Sequence, residues 1–327
     1  MSFSNKNFGK IKIISIAGFG RSGTTILGNI LGSISGFFHT GETCFLWENG
    51  INNNRNCGCG LPFRQCSLWH DILKNAYGNL ENLKDINIKY LKQQGIPQNR
   101  DILPALIFKK RKENLESVHE NLKKYLINQE KLYRSIANHT NCDVIIDSSK
   151  FPSYVYLLNL ISSIDLYVVH LVRDPRAVAY SWQKKRIRSD VSTKNNLLQE
   201  QFKPTKVALQ WNAWNLLLEF FGNKELKQHY LFLKYEQFMQ NPQQTVKSIL
   251  NFVGEADKEL PFVDSSSVSL TVNHTIWGNP IRSKTGLVKL KTDEQWKDKI
   301  SPSHRKTVVA ITLPLLLKYG YINNAKT

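Results

Sequence analysis

The chain lacks any apolar run near the ~20 residues that a membrane-spanning helix needs. It also lacks a recognisable secretory leader. Its first apolar segment, "IKIISIA" at 11–17, runs directly into a glycine-rich loop and reads as a core strand. The expectation from both absences is a cytoplasmic protein with no transmembrane segment. Cysteine is sparse and odd in number, five residues, which argues against a disulfide framework. Acidic residues are in deficit: 26 Asp and Glu stand against 44 Lys and Arg, a formal net charge of +18. The densest basic cluster, "KKRIR" at 184–188, has no interleaved aromatic residues, so no nucleic-acid partner is expected. The charge leaves three readings open: a basic surface without special meaning, peripheral association with an anionic membrane face, or a highly charged small substrate.

What is present is an alternation of short apolar runs and amphipathic stretches. "IKIISIA", "DVIID" (143–147), "LYVVHLV" (166–172) and "YLFLKY" (230–235) are apolar almost throughout, as parallel strands buried on both faces are. Helix starts follow several of them. Asp174-Pro175, Asn241-Pro242 and Ser301-Pro302 each pair an N-cap with proline at the first helical position, and Gly254 and Gly320 stand where C-terminal caps belong. Ile26, Leu27, Ile30, Leu31 and Ile34 form one apolar helical face. The fold class is α/β, with a P-loop-type central, mostly parallel sheet flanked by helices. Residues from about 50 to 142 begin as an Asn-, Gly- and Cys-rich loop and become helical and charged. They read as a helical cap inserted into a single domain spanning 1–327.

The loop "GFGRSGTT" (18–25) carries the first chemical signal. Gly18 and Gly23 have the G-x-x-x-x-G spacing of a phosphate loop, whose backbone amides turn inward on an anion. A triphosphate-binding loop has lysine after its second glycine; here Thr24 and Thr25 follow, and Arg21 supplies the donors. A glycine turn of packing value alone is the bland alternative. In "LVRDPRAVAYSW", Arg173 ends a buried strand and Ser181 lies on the helix that follows. The two could grip a second phosphate, or Arg173 could simply pair with Asp174.

"GRSGTT", "DSSK", "VRDPRAVAYS" and "YLFLKYEQFMQNPQQTVKSILNFVGE", in that order, resemble the sulfotransferases that use 3′-phosphoadenosine 5′-phosphosulfate (PAPS). The similarity covers about 11–50 and 143 to the C-terminus. The resemblance implies a sulfuryl transfer from PAPS to an acceptor hydroxyl on a glycan, lipid, peptide or small metabolite, with no Mg²⁺ required. It assigns Arg21, Ser22, Gly23, Thr24 and Thr25 to the 5′-phosphosulfate, and Arg173 and Ser181 to the 3′-phosphate. A basic loop closing over the nucleotide corresponds to "GNPIRSKTGLVKLK", with Arg282, Lys284 and Gly286. The small-phenol and steroid enzymes place a histidine base after the second core strand, where this chain has "DSSKFP" and no histidine. The tyrosylprotein enzymes use a glutamate in a "GEET"-like segment, which "HTGETCF" matches with Glu42. Glu42 is then the base, with His39 as runner-up, and Lys150 and Arg21 the electrophiles. This placement leans toward saccharide or peptide hydroxyls. The competing readings are a Mg-ATP-dependent P-loop kinase, disfavoured by the missing lysine, and a non-enzymatic polyanion-binding protein.

Three further features are read from the residues alone. Cys57, Cys59, Cys66 and His70 could form a zinc site of three sulfurs and one nitrogen, Cys66 could pair with Cys57 or Cys59, or the thiols could stay reduced. Trp211, Trp214 and Leu218 share a helical face and read as core. Ser148 or Ser149 is expected to cap the helix that starts near Pro152.

Overall fold

The apolar runs do pair into one sheet. The computed structural model describes residues 9–78, 120–185 and 200–322. Five strands, β1 (Ile11–Ala17), β2 (Phe37–Gly41), β3 (Val144–Lys150), β4 (Ile164–Val172) and β5 (Tyr230–Lys234), form a parallel sheet in the order β2-β3-β1-β4-β5. The chain runs from β1 out to β2 and returns through β3, then crosses to β4. The strand order therefore reverses around β1, where open α/β sheets bind ligands. β2 was not among the expected strands. It lies at an edge, and its sequence, FFHTG, mixes aromatic and polar residues.

Both faces of the sheet are covered. Ile14 and Ile16 of β1 pack with Ile26, Leu27 and Ile30 of α1 (Thr24–Gly32) on one side. Ile11 and Ile13 pack on the other with α2 (Ser67–Tyr77), α3 (Glu120–Thr140) and α4 (Pro152–Asn159). The remaining described α-helices are α5 (Pro175–Gln183), α6 (Pro204–Phe221), α7 (Tyr235–Gln240), α8 (Pro242–Val253), α9 (Trp296–Lys299) and α10 (Pro302–Lys318). A short antiparallel pair, β6 (Ser267–Leu270) and β7 (Gly286–Lys289), stands apart from the main sheet. No helix among the described residues is long and apolar enough to cross a membrane.

Local signals hold well. Asp174 and Ser301 cap α5 and α10 through their side chains, and Gly254 ends α8 in the left-handed conformation. Within the 50–142 insertion, α2 and α3 are helical as expected; 79–119 lie outside the described residues. Tyr133 and Ile136 of α3 are fully buried in the same core as Ile13. This part of the insertion is therefore built into the sheet's covering layer. Ser148 and Ser149 do not cap α4, whose N-cap is Phe151. Ser149 Oγ accepts the Cys44 amide at 3.1 Å, and Ser148 Oγ meets His39 Nε2 at 3.1 Å.

Candidate active site

The C-terminal ends of four parallel strands bring the candidate residues together. β1 leads into the glycine loop, β2 into Glu42, β3 ends on Lys150, and β4 leads into Arg173. In the loop, Gly18 (φ 141°) and Gly23 (φ 92°) need the freedom of glycine. They are also hemmed in: a Cβ at Gly18 would lie 2.3 Å from the Leu171 carbonyl oxygen, and one at Gly23 2.6 Å from the Tyr235 ring. The loop opens into α1 at Thr24, so the first-turn amides and the positive end of the helix dipole lie beside it. Ser22 is buried and its hydroxyl donates to the Phe19 carbonyl at 2.7 Å, which shapes the loop from within.

Arg21 (φ 77°) and Lys150 (φ 71°) adopt the left-handed backbone region without being glycine. Such a conformation costs on the order of 1–3 kcal/mol and persists where the surroundings over-determine it, often at functional sites. Trp182 supports the first: its ring lies 4.8 Å from the Arg21 guanidinium carbon, and its indole N–H donates to the Gly20 carbonyl at 3.3 Å. At the second, the Gly18 amide donates to the Lys150 carbonyl at 3.2 Å, tying β3 to the loop. Asp147 anchors the same strand end. It accepts the Ser149 amide at 2.7 Å and the Tyr133 hydroxyl, and burial raises its carboxyl above the usual range.

Lys150 Nζ donates to Glu42 Oε1. The two side chains are only 13% and 8% exposed, so bulk water screens the pair little. The Glu42 amide donates to the Trp277 carbonyl at 3.3 Å. Gly278 follows, and a methyl group there would lie 3.3 Å from Glu42 Oε1 and 3.6 Å from Thr25 Oγ1. The carboxylate thus sits across a narrow gap from the start of α1.

His39 is placed for support. It is buried in β2, with Nδ1 3.1 Å from Asn29 Oδ1 and Nε2 3.1 Å from Ser148 Oγ. Asn29 Nδ2 donates to the Arg282 carbonyl at 3.3 Å, so its Oδ1 accepts from His39 Nδ1–H and Nε2 accepts from Ser148. Burial pushes His39 down to about 3, helped by the nearby Lys150 and Arg282 charges, and burial takes His170 down to about 4. Both are neutral in the native protein. Histidines with lowered pKa contribute stability that is complete above about pH 6.5 and lost as pH falls through the folded values, at about 1.4 kcal/mol per pH unit each. Asp147 and Glu236, raised by burial, act in the opposite sense. His39→Gln is therefore expected to flatten the dependence of unfolding free energy on pH between about 6.5 and 5 by roughly that slope. Denaturant titrations of both proteins at several pH values check it, and parallel curves would show that His39 is not held neutral.

Arg173 turns toward the loop. Its Nη1 donates to the Arg21 carbonyl at 3.2 Å, and its guanidinium lies 4.4 Å from the centre of the Tyr235 ring. The local pairing with Asp174 does not form, because Asp174 is taken by Arg176 (Nη2 to Oδ2, 2.6 Å). Ser181 is buried on α5, one residue before Trp182. From the C-terminal part, Asp293 reaches Arg173, its carbonyl accepting from Nη2 at 3.1 Å, while Lys184 Nζ lies 3.8 Å from its carboxylate. Arg282 departs from expectation. It is fully buried, and its guanidinium donates to the carbonyls of Thr275 (2.8 Å) and Asn56 (2.5 Å), bracing the Glu42 side. Lys284 and Gly286 are exposed, Lys284 just before β7 and Gly286 at its first position.

Trp211 and Leu218 are core, as expected; Trp211 also donates its indole N–H to the Arg173 carbonyl at 3.0 Å. Trp214 is half-buried between Phe19 and Phe151. The three cysteines do come together, but with a different nitrogen. His274 joins Cys57, Cys59 and Cys66, whereas His70 is exposed and faces Asp71. All five cysteines are free thiols.

Residues 12–316 match the sulfotransferase domain family. No curated relative matches the chain. Among solved structures, the sulfotransferase domain of the Synechococcus PCC 7002 olefin synthase is similar at 14% identity and a TM-score of 0.46, covering 96% of this chain and 98% of that one. The sulfotransferase domain from the curacin biosynthetic pathway is similar at 17% identity and 0.45, covering 94% and 98%. Retinol dehydratase, in a complex with retinol and PAP, is similar at 15% identity and 0.35, covering 96% and 84%. The family match takes in every strand of the central sheet and each strand end that carries a candidate residue, and the chain belongs to the sulfotransferase domain family.

Proposed function

We propose that the protein transfers a sulfuryl group from PAPS to an acceptor hydroxyl. The observation that carries this reading is the buried Glu42–Lys150 pair, set across from Thr25 at the start of α1. The loop amides and the α1 N-terminus receive the 5′-phosphosulfate, and Arg173 and Ser181 receive the 3′-phosphate. The acceptor oxygen attacks sulfur in line, the bond from sulfur to the bridging phosphate oxygen breaks, and adenosine 3′,5′-bisphosphate leaves. Glu42 takes the hydroxyl proton. A carboxylate has two oxygens, so it can hold Lys150 on one while accepting a proton on the other. Lys150 and Arg21 stabilise the charge that develops on the departing phosphate. These cations do the neutralising that Mg²⁺ does in a kinase, so donor binding is expected without the metal.

The acceptor is a hydroxyl compound, with saccharides favoured over phenols because the base is a carboxylate that follows the loop. Incubation with PAPS labelled in its sulfuryl group and panels of saccharide, peptide and phenolic acceptors tests the proposal. Label on an acceptor oxygen, with stoichiometric bisphosphate release, is the expected result. Hydrolysis of Mg-ATP with no label transferred to any panel would overturn it.

A further inference from the structure

The cysteine loop has no part in the chemistry above, yet it is built with care. "NCGCGLPFRQC" folds back on itself: the Cys57 amide donates to the Leu61 carbonyl at 2.8 Å, the Gly60 amide to the Cys57 carbonyl at 2.9 Å, and Asn56 bridges Pro62. Gly60 takes a positive φ of 93° at the turn. This tight fold holds Cys57 and Cys59 together despite their single-residue spacing. Cys66 occupies the N-cap position of α2, where the helix dipole favours a thiolate. The fourth group comes from far along the chain. His274 Nδ1 lies 3.2 Å from Cys66 Sγ and 3.8 Å from Cys57 Sγ, and the four ligand atoms are all within 4.8 Å of one another.

We propose that Cys57, Cys59, Cys66 and His274 bind one zinc ion in a closed, tetrahedral, structural site. An ion about 2.3 Å from sulfur and about 2.1 Å from nitrogen keeps tetrahedral ligand atoms roughly 3.5–3.8 Å apart. The separations to His274 fall near that range before any metal has drawn the groups together. Three soft sulfurs and one imidazole nitrogen form a donor set that selects zinc over magnesium or calcium. Four protein ligands leave no open position for a substrate or water, so the site is structural. On binding, the three thiols release their protons to solvent and four lone pairs are donated to Zn²⁺; nothing is oxidised or reduced.

Its place in the fold defines what it holds. The His274 segment is wedged between the cysteine loop and the end of β2. The Trp69 indole donates to the His274 carbonyl at 2.6 Å, the Gly58 amide to the Thr275 carbonyl at 2.9 Å, and the Ile276 amide to the Thr40 carbonyl at 2.8 Å. Trp277, two residues after Ile276's neighbour Thr275, then accepts the Glu42 amide. The metal fastens the loop at 57–66 to the strip of backbone that walls Glu42. The inference stands on these residues alone and does not depend on the identity of the sulfuryl donor.

Metal analysis of the full chain purified from zinc-replete culture is expected to give about one zinc per chain, retained against a weak chelator. His70→Ala keeps it. Cys66→Ser and His274→Ala release it to a chromophoric chelator that the wild type resists, and both melt at lower temperature. Should those variants fail to fold, wild-type protein reconstituted with Co²⁺ gives a second readout: intense visible bands of tetrahedral geometry together with a thiolate-to-cobalt charge-transfer band. Zinc-free wild type that also lacks these cobalt bands, a disulfide joining two of the three cysteines in non-reducing peptide maps, or zinc lost equally on His70→Ala would overturn the assignment.

Discussion

Glu42→Gln is expected to lower kcat by roughly 10²–10⁴-fold, the range that a positioned general base contributes. Gln keeps the size of the side chain and an oxygen that can accept from Lys150, but it cannot take the acceptor proton. Affinity for adenosine 3′,5′-bisphosphate should be nearly unchanged, because the contacts assigned to the nucleotide lie on the loop and on Arg173. The fall in kcat without a matching loss of donor affinity separates a catalytic role from a structural one. The distinction matters here because Glu42 and Lys150 form a buried pair. Removing one member of such a pair altogether costs about 3–5 kcal/mol of stability, so Glu42→Ala would confound the two effects. Full turnover in Glu42→Gln would remove Glu42 from the reaction.

Arg173→Ala is expected to weaken bisphosphate binding by roughly 30–150-fold, corresponding to about 2–3 kcal/mol for hydrogen bonds to a charged group. Arg173 is held in place on several sides, and its Nη2 lies 3.6 Å from the Asp293 carboxylate, a pairing that the bisphosphate would compete with. Asp174 is occupied by Arg176, Trp211 pins the Arg173 carbonyl, and the guanidinium carbon lies over the Tyr235 ring, 4.4 Å from its centre. Arg173→Lys should fall between wild type and Ala, since a lysine keeps the charge and loses the planar fork. The Arg173 guanidinium donates to the backbone carbonyls of Arg21 and Asp293, so its substitution can also loosen the loop. Melting temperature measured alongside affinity separates the two effects. Equal affinities in wild type and Arg173→Ala would take this residue out of the nucleotide site.

The sequence made the buried strands legible because β1, β3 and β4 are covered on both faces and must be apolar nearly throughout. It also exposed what is decided within a few residues: the glycine loop, the proline-marked helix starts and the order of Arg21, Lys150 and Arg173. What it hid depends on contacts across the chain. β2 escaped notice because its polar residues find partners across the chain: His39 meets Asn29 of α1 and Ser148 of β3, and the Thr40 hydroxyl donates to the Ile146 carbonyl of β3. Trp182 lies in the Arg173 segment, but its contact with the Arg21 guanidinium joins residues far apart in the chain. Asp147 left a faint trace, an acid at the end of an apolar strand. Arg282 looked like a nucleotide contact because it sits in a basic stretch, and only the fold shows its guanidinium turned inward to Thr275 and Asn56. His70 was the nearest histidine to the cysteines in sequence; His274, 208 residues beyond Cys66, is the nearest in space.

The most direct measurement is calorimetry of the purified protein with adenosine 3′,5′-bisphosphate and with ATP, each with and without Mg²⁺. A loop without the triphosphate lysine, backed by Arg21 and Arg173, predicts tight binding of the bisphosphate that Mg²⁺ does not alter, and little binding of ATP. Binding of Mg-ATP in preference to the bisphosphate would contradict sulfuryl transfer from PAPS at this site.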